Sequence, residues 1–196
     1  MNNSDFLTVI AVPEHVNEKI RSFKSACVKH IGKFPGMHAE AHISIEIITD
    51  KVDQVTRKPL LLTPFYEMVS FKIKTIPRHD LKIRGFDFFT HGSNFRTIYA
   101  AIELDKKTGE WFDNIKTALR MRSRRLNPHI TIAGRVSTET FNILWPRFQK
   151  LEYNDTFEAD CLTILEKESD NKHDRYKVHK KIPFGKKAAL SHAGFN

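Results

Sequence analysis

Polar and apolar residues alternate in two short stretches of this chain and recur with helical spacing in three others. Ala41-His-Ile-Ser-Ile-Glu-Ile-Ile48 places Ile at 43, 45 and 47 and polar residues at 42, 44 and 46. A period of two sends successive side chains to opposite faces of a strand, so one face here is apolar and the other polar. His129-Ile-Thr-Ile-Ala133 repeats the pattern, with His129 and Thr131 on one face and Ile130 and Ile132 on the other. Val16, Ile20, Phe23, Cys27 and Ile31 instead recur at steps of four, three, four and four, which is the stripe of an amphipathic helix. Pro13 suits its first turn and Gly32 its end. Phe112, Ile115 and Leu119 predict a second helix over roughly 108–122, with Thr108 as its cap. Phe141, Leu144, Trp145 and Phe148 predict a third over about 138–150, which Pro146 should kink or divide.

Shorter signals supply the remaining elements. Residues 6–12 are rich in β-branched side chains and stop at Pro13, which reads as a buried strand. Asp50 is placed to cap a short helix through Val52 and Val55 that Pro59 interrupts, and Thr63-Pro64 opens a further turn to about Met68. Strands are expected at 71–76, around 87–89 and at 96–104, with the turn residues Gly92-Ser-Asn94 between the last two. Two more are expected at 157–166 and 176–184. Residues 185–196 lack periodicity and read as a flexible C-terminal tail.

The order strand, helix, His-containing strand, helix, strand thus occurs twice. From His42 to Phe71 is 29 residues, and from His129 to Phe157 is 28. Matched order and spacing support a duplication, although no long stretch of identity accompanies it.

Composition narrows the setting. The 196 residues carry 32 Lys+Arg against 23 Asp+Glu, a net charge of +9, which points to a polyanionic partner. The longest uncharged run rich in apolar residues, 6–12, is far short of the ~20 that span a bilayer, so no membrane partner is expected. The opening Met-Asn-Asn-Ser-Asp lacks the features of an export signal. A cytoplasmic setting is therefore expected, with Cys27 and Cys161 reduced. No Cys-x-x-Cys occurs, and no histidine spacing is diagnostic of a metal site. The histidines at 15, 30, 38, 79, 91, 173, 179 and 192 read as solvated or locally bonded.

The two alternating stretches carry the chemistry. Each sets a histidine beside a hydroxyl two residues on, His42 with Ser44 and His129 with Thr131. If a pseudo-twofold axis relates the halves, their polar faces meet in one site holding two imidazoles and two hydroxyls. A neutral imidazole removes a proton from an attacking oxygen, and a protonated one delivers a proton to the leaving oxygen; a pKa of ~6.5 allows both near neutrality. The hydroxyls would donate to the non-bridging oxygens of a phosphate. This design calls for no metal and no cofactor.

At these residues the sequence resembles the two-histidine phosphoesterase superfamily, which includes 2′-5′ RNA ligase-like proteins and cyclic phosphodiesterases. The resemblance rests on His42-x-Ser44, on His129-x-Thr131 within Asn127-Pro128-His129-Ile-Thr-Ile-Ala133, and on Tyr176-Lys-Val-His-Lys-Lys-Ile-Pro-Phe184. It implies an α+β, bilobal, pseudo-twofold fold over residues 1–184, with a sheet and flanking helices in each lobe and a central cleft. It implies catalysis by His42 and His129 without a metal, phosphate binding by Ser44 and Thr131, and an RNA or nucleotide phosphodiester as substrate. No obligate protein partner is expected, and a monomer is. Family members often carry Arg soon after the second motif; here Gly134 precedes Arg135. Lys116, Arg120, Arg122, Arg124, Arg125 and Arg135 form a run without an acid that leads through the second motif, and Arg125 and Arg135 are its candidates for binding substrate. Phe86, Phe88, Phe89 and Phe95 read as core rather than as a stacking platform. Two other functions fit the residues less well: a noncatalytic RNA-binding module, and a phosphodiesterase for a small cyclic nucleotide derivative.

Overall fold

Residues 14–31 wind into a helix because their apolar stripe has a core to meet. Val16, Ile20 and Cys27 are buried along α1 (Glu14–Ile31), and Pro13 stands at its N-cap. Gly32 ends it at φ 72°, its N–H donating to the Val28 carbonyl. That left-handed backbone is the conformation glycine adopts at least cost. Around α1 lie β1 (Asn2–Ala11) and β2 (His42–Val52). The chain continues as α2 (Leu62–Ile73), β3 (His79–His91), β4 (Phe95–Ile102), α3 (Lys106–Ala118) and β5 (His129–Ser137). It ends as α4 (Thr138–Phe148), β6 (Asn154–Ala159), β7 (Cys161–Glu168) and β8 (Lys177–Pro183). The computed structural model describes residues 2–53, 55–56, 58–121, 126–169 and 175–187. Among them no helix is long and apolar enough to cross a membrane.

The strands form one sheet in the order β6-β3-β4-β5-β2-β1-β7-β8, and every neighbouring pair is antiparallel. Its middle is its thinnest seam. β2 and β5 meet only at Ile43 and Ile130, and this pair joins two four-stranded lobes. Both isoleucines are fully buried in a single apolar core with Ile20 of α1, Tyr66 of α2, Ile115 of α3 and Leu144 of α4. The helices therefore pack on that side of the sheet, and alternation turns the neighbouring residues of β2 and β5 to the other. This is the expected α+β fold of two lobes. The lobes are not the two halves of the sequence, however. β3 from the first half inserts between β4 and β6, while β7 and β8 from the second complete the sheet of β1 and β2.

Several expectations are corrected. Residues 71–73 belong to α2, whose buried residues Tyr66, Val69 and Ile73 follow a helical step; Phe71 falls off that stripe and is 77% exposed. The spacing match drawn through Phe71 is lost with it. Residues 157–166 form two strands, because the chain crosses between lobes at Asp160. α4 runs undivided past Pro146 to Phe148. The cap of α3 is Asp105, whose carboxylate accepts from the Thr108 N–H at 2.8 Å. Asp50 is a helix cap of another kind. It sits on β2, and its Oδ2 accepts from the N–H groups of Leu61 and Leu62 at 2.9 Å each, where α2 begins. The start of the expected tail is tied down: Gly185 N–H donates to the Ile76 carbonyl at 2.7 Å, and Lys187 pairs with Asp80. Residues 188–196 lie outside those described.

Candidate active site

The pair that joins the lobes also sets the histidines. The register matching Ile43 to Ile130 puts His42 across from Thr131 and Ser44 across from His129. All four lie one residue from the buried pair, so they share the face opposite the helices. The two histidines are diagonal neighbours, a relation that spans about 7–8 Å in a regular ladder. A single phosphate that accepts a hydrogen bond from each ring can bridge such a gap. The charge of His129 acts on His42, as expected of rings at one site.

Both imidazoles are held alike. His42 Nδ1 lies 2.9 Å from the Glu40 carbonyl, and His129 Nδ1 lies 2.8 Å from that of Asn127. A carbonyl only accepts, so each Nδ1 carries its proton and donates it. Each Nε2 is left as the atom that gains or loses a proton. Burial pushes both pKa values below the ordinary 6.5, while the carbonyl bonds pull the other way. For His42 the positive charges of Lys24 and His129 add to the lowering; for His129 that of His91 does.

α1 builds the mount of His42. Lys24 is 5% exposed, and its ammonium donates to the carbonyls of Gly36 at 3.1 Å and Ala39 at 2.7 Å. Asn17 Oδ1, also buried, accepts from the Ala41 N–H at 3.0 Å. Together they fix the turn whose Glu40 carbonyl orients His42. A buried cation at these carbonyls is held at a cost in hydration, and its pKa is lowered accordingly.

The lobe of His129 adds an aromatic wall. Tyr99 pairs with Thr131 across β4 and β5, so it shares the face of the site. Its ring lies 5.0 Å from that of His129 and stacks on Phe89 at 4.2 Å; Phe89 meets His129 edge-on at 4.8 Å. The Tyr99 hydroxyl donates to Asp87 at 3.3 Å, and burial followed by that carboxylate pushes its pKa up to about 12. Farther along the face, Thr97 Oγ1 accepts the Arg135 N–H at 3.0 Å and lies 2.9 Å from His91 Nε2. The Arg135 guanidinium rests over Phe95 at 5.3 Å.

The sequence-derived site residues fall out as follows. His42, Ser44, His129 and Thr131 come together. Arg135 lies on the same lobe as His129, at the far end of β5 from it. Arg122, Arg124 and Arg125 lie outside the described residues. Phe86 and Phe88 pack in the core side against Phe148 and Phe141, as read from sequence, whereas Phe89 faces the site. Glu46 was expected on the face of His42 and Ser44 and is not there. β1 pairs Val9 with Ser44 and Thr8 with Glu46, so Ile45 is the extra residue of a bulge. Val9 and Thr8 point to opposite faces, and Ser44 and Glu46 therefore do too. Glu46 faces α2, close enough to Tyr66 for its charge to act on it. Lys24, Asn17 and Tyr99 were not found from sequence. Only Tyr99 left a signal, since Thr97, Tyr99 and Ala101 alternate with Ile98, Ala100 and Ile102.

No protein-family model and no curated protein matches the chain. Solved structures do. TT0787 of Thermus thermophilus superposes with a TM-score of 0.63 at 14% identity, over 91% of this chain and 97% of that one. LigT of E. coli, in complex with 3′-AMP, gives 0.58 at 12%, over 94% and 99%. A further protein solved as a phosphoesterase gives 0.58 at 9%, over 93% and 99%. The likeness runs through both lobes and the seam between them, and the architecture of this chain is the fold that TT0787 and LigT share.

Proposed function

We propose that the chain is a metal-independent phosphodiesterase that uses His42 and His129 on an RNA-type 2′,3′-cyclic phosphate or 2′-5′ phosphodiester. The observation that carries this reading is the matched pair of imidazoles, each with Nδ1–H given to a backbone carbonyl and Nε2 left for proton transfer. In cyclic phosphate opening, one neutral Nε2 takes a proton from water as the water oxygen bonds to phosphorus. The bond from phosphorus to a ribose oxygen breaks, and the other imidazole, protonated, gives that oxygen its proton. Ser44 and Thr131 donate to the non-bridging oxygens, where the charge is held, and Arg135 adds positive charge on the same lobe. The complementary roles need one proton between two nearby rings, which is the state two coupled histidines favour. LigT, which shares the fold, has been solved with 3′-AMP, a nucleotide with a phosphate on its ribose, and such a ligand suits this reading.

The test is an assay of nucleoside 2′,3′-cyclic phosphates and 2′-5′ dinucleotides with and without chelator. His42→Ala and His129→Ala are each expected to lower turnover by about 10²–10⁴, the range of a lost general acid or base. Chelator is expected to change nothing. Activity that survives both substitutions, or vanishes with chelator, overturns the mechanism. Salt-sensitive RNA binding with no turnover of any substrate would make the chain a binding module instead.

A further inference from the structure

A row of rings leads away from His129 along the face of the site. Tyr99, Thr97 and Phe95 alternate along β4, and β3 sets Phe89 beside Thr97 and His91 beside Phe95. Paired residues share a face, and Phe89 meets the His129 ring itself at 4.8 Å. His91 follows 6.4 Å from Phe89, and Phe95 ends the row, 39% exposed. From Tyr99 to Phe95 the strand rises about 13 Å. The end of the row is braced. Arg96 Nη1 donates to the carbonyls of Gly92 at 3.2 Å and Phe95 at 2.8 Å, and the Thr138 N–H, where α4 begins, donates to that of Asn94 at 3.0 Å.

Arg135 is built onto that end at a cost. Thr97 of β4 faces both Gly134 and Arg135 of β5, since Arg96 pairs with Val136 and Ile98 with Ala133. This is a bulge, and its left-handed backbone, φ 48°, falls on Arg135 and not on the glycine next to it. Bulges re-aim side chains, and a residue held in a strained conformation points to function. The buried Thr97 hydroxyl fixes the Arg135 N–H, and the guanidinium is laid 5.3 Å over the Phe95 ring. Arg135 makes no ion pair among the described residues. An exposed planar cation on an aromatic ring suits single-stranded nucleic acid, which sets phosphates on charges and bases on rings. We infer that Phe95 and Arg135 form a second binding site for the substrate strand: a nucleotide upstream of the one at His42 and His129 sets its phosphate on the guanidinium and its base on the exposed ring, with the strand lying along Phe89 and His91. The inference rests on the reading of the site as an RNA phosphodiesterase, and it gives that enzyme oligomers rather than mononucleotides as its substrate class.

Two measurements test it, on the wild type, Phe95→Leu, Arg135→Gly and Arg135→Lys. Leucine keeps the apolar bulk without the ring, glycine takes the left-handed backbone at least cost, and lysine keeps the charge without the flat guanidinium. A thermal melt checks the fold of each. The first measurement is the ratio of kcat/KM for an RNA trimer ending in a 2′,3′-cyclic phosphate to that for a mononucleoside 2′,3′-cyclic phosphate. It is expected to exceed one in the wild type and to fall about tenfold in Phe95→Leu, a typical loss for one stacked base. The second is fluorescence anisotropy of a labelled RNA pentamer ending in a 3′-phosphate. Arg135→Gly is expected to lower its salt slope by ~0.7, the share of one phosphate contact, and Arg135→Lys to restore the slope but not the full affinity. A ratio and an affinity unchanged in all three variants overturn the second site. So does an equal loss for trimer and mononucleoside, which would give Phe95 and Arg135 to the phosphate at the histidines. Equal binding of a polyglutamate peptide, with Phe95→Leu altering neither ligand, would make the pair a site for an acidic protein and overturns it too. Pentamer binding that falls in the variants, without turnover of either substrate, leaves the second site standing and removes the catalytic reading. Turnover with an unchanged ratio and unchanged pentamer binding does the reverse.

Discussion

A hydrogen bond from Nδ1 to a carbonyl decides which nitrogen of an imidazole can work. It also removes the need for a carboxylate partner, since the neighbouring backbone supplies the acceptor for both His42 and His129. The free protein holds both rings below their ordinary pKa of 6.5, chiefly by burial. Because kcat/KM reports the free enzyme, its bell-shaped profile is expected to peak below pH 6.5, and a maximum above 7 would contradict the placement. His42, Ser44, His129 and Thr131 were legible as single residues because two strands repeat one alternating pattern. Tyr99 and Lys24 were not. One depends on which strand lies beside β5, and the other on a helix reaching a turn more than ten residues away, and neither relation is written in local periodicity. The face of Glu46 was misread because a bulge inverts alternation without leaving a mark such as Gly or Pro.

At the scale of elements, single charged side chains tie α1 to the turn that precedes β2 and α2 to β2 itself. Lys24→Met is expected to raise the pKa of His42, since the ammonium lowers it, and to loosen the turn at 36–39. An NMR titration of the His42 ring reads the first effect, and a merely structural lysine would leave that titration in place. Asp50→Ala removes the acceptor for two N–H groups at the start of α2. It is expected to cost about 1–2 kcal/mol, seen as a lower melting temperature, with Asp50→Asn less severe. Helices with a clear stripe, such as α1, could be read from sequence to within a residue at each end. The stretch at 71–76 could not, because Phe71, Ile73 and Ile76 among polar neighbours mimic a strand while the helical stripe through Tyr66 and Val69 lies upstream. Residues 157–166 looked like one strand because the crossing at Asp160 costs no turn residue. A short apolar run gives no sign of passing from one sheet neighbour to another.

For the whole molecule, the half-buried histidines link folding to pH. An unfolded histidine titrates near 6.5, and His42 and His129 titrate lower in the fold. The unfolded chain therefore binds more protons in the window below 6.5. Stability is expected to be full above 6.5 and to fall as pH drops toward the lowered native values. Denaturant unfolding at several pH values checks this, and His42→Ala/His129→Ala should flatten that part of the curve. The repeated order of elements was legible, but the exchange of strands between the halves was not, since it is a matter of long-range pairing. That exchange also governs synthesis. β1 finds β2 on one side soon after both leave the ribosome, while its other edge stays open until β7 follows, more than 150 residues later. Contacts so distant in sequence are slow to form, and an unpaired edge is open to other chains in the meantime. The last strands to be made are the ones that close the first lobe, so a nascent chain halted before Cys161 holds both histidines and still lacks half the strands of one lobe.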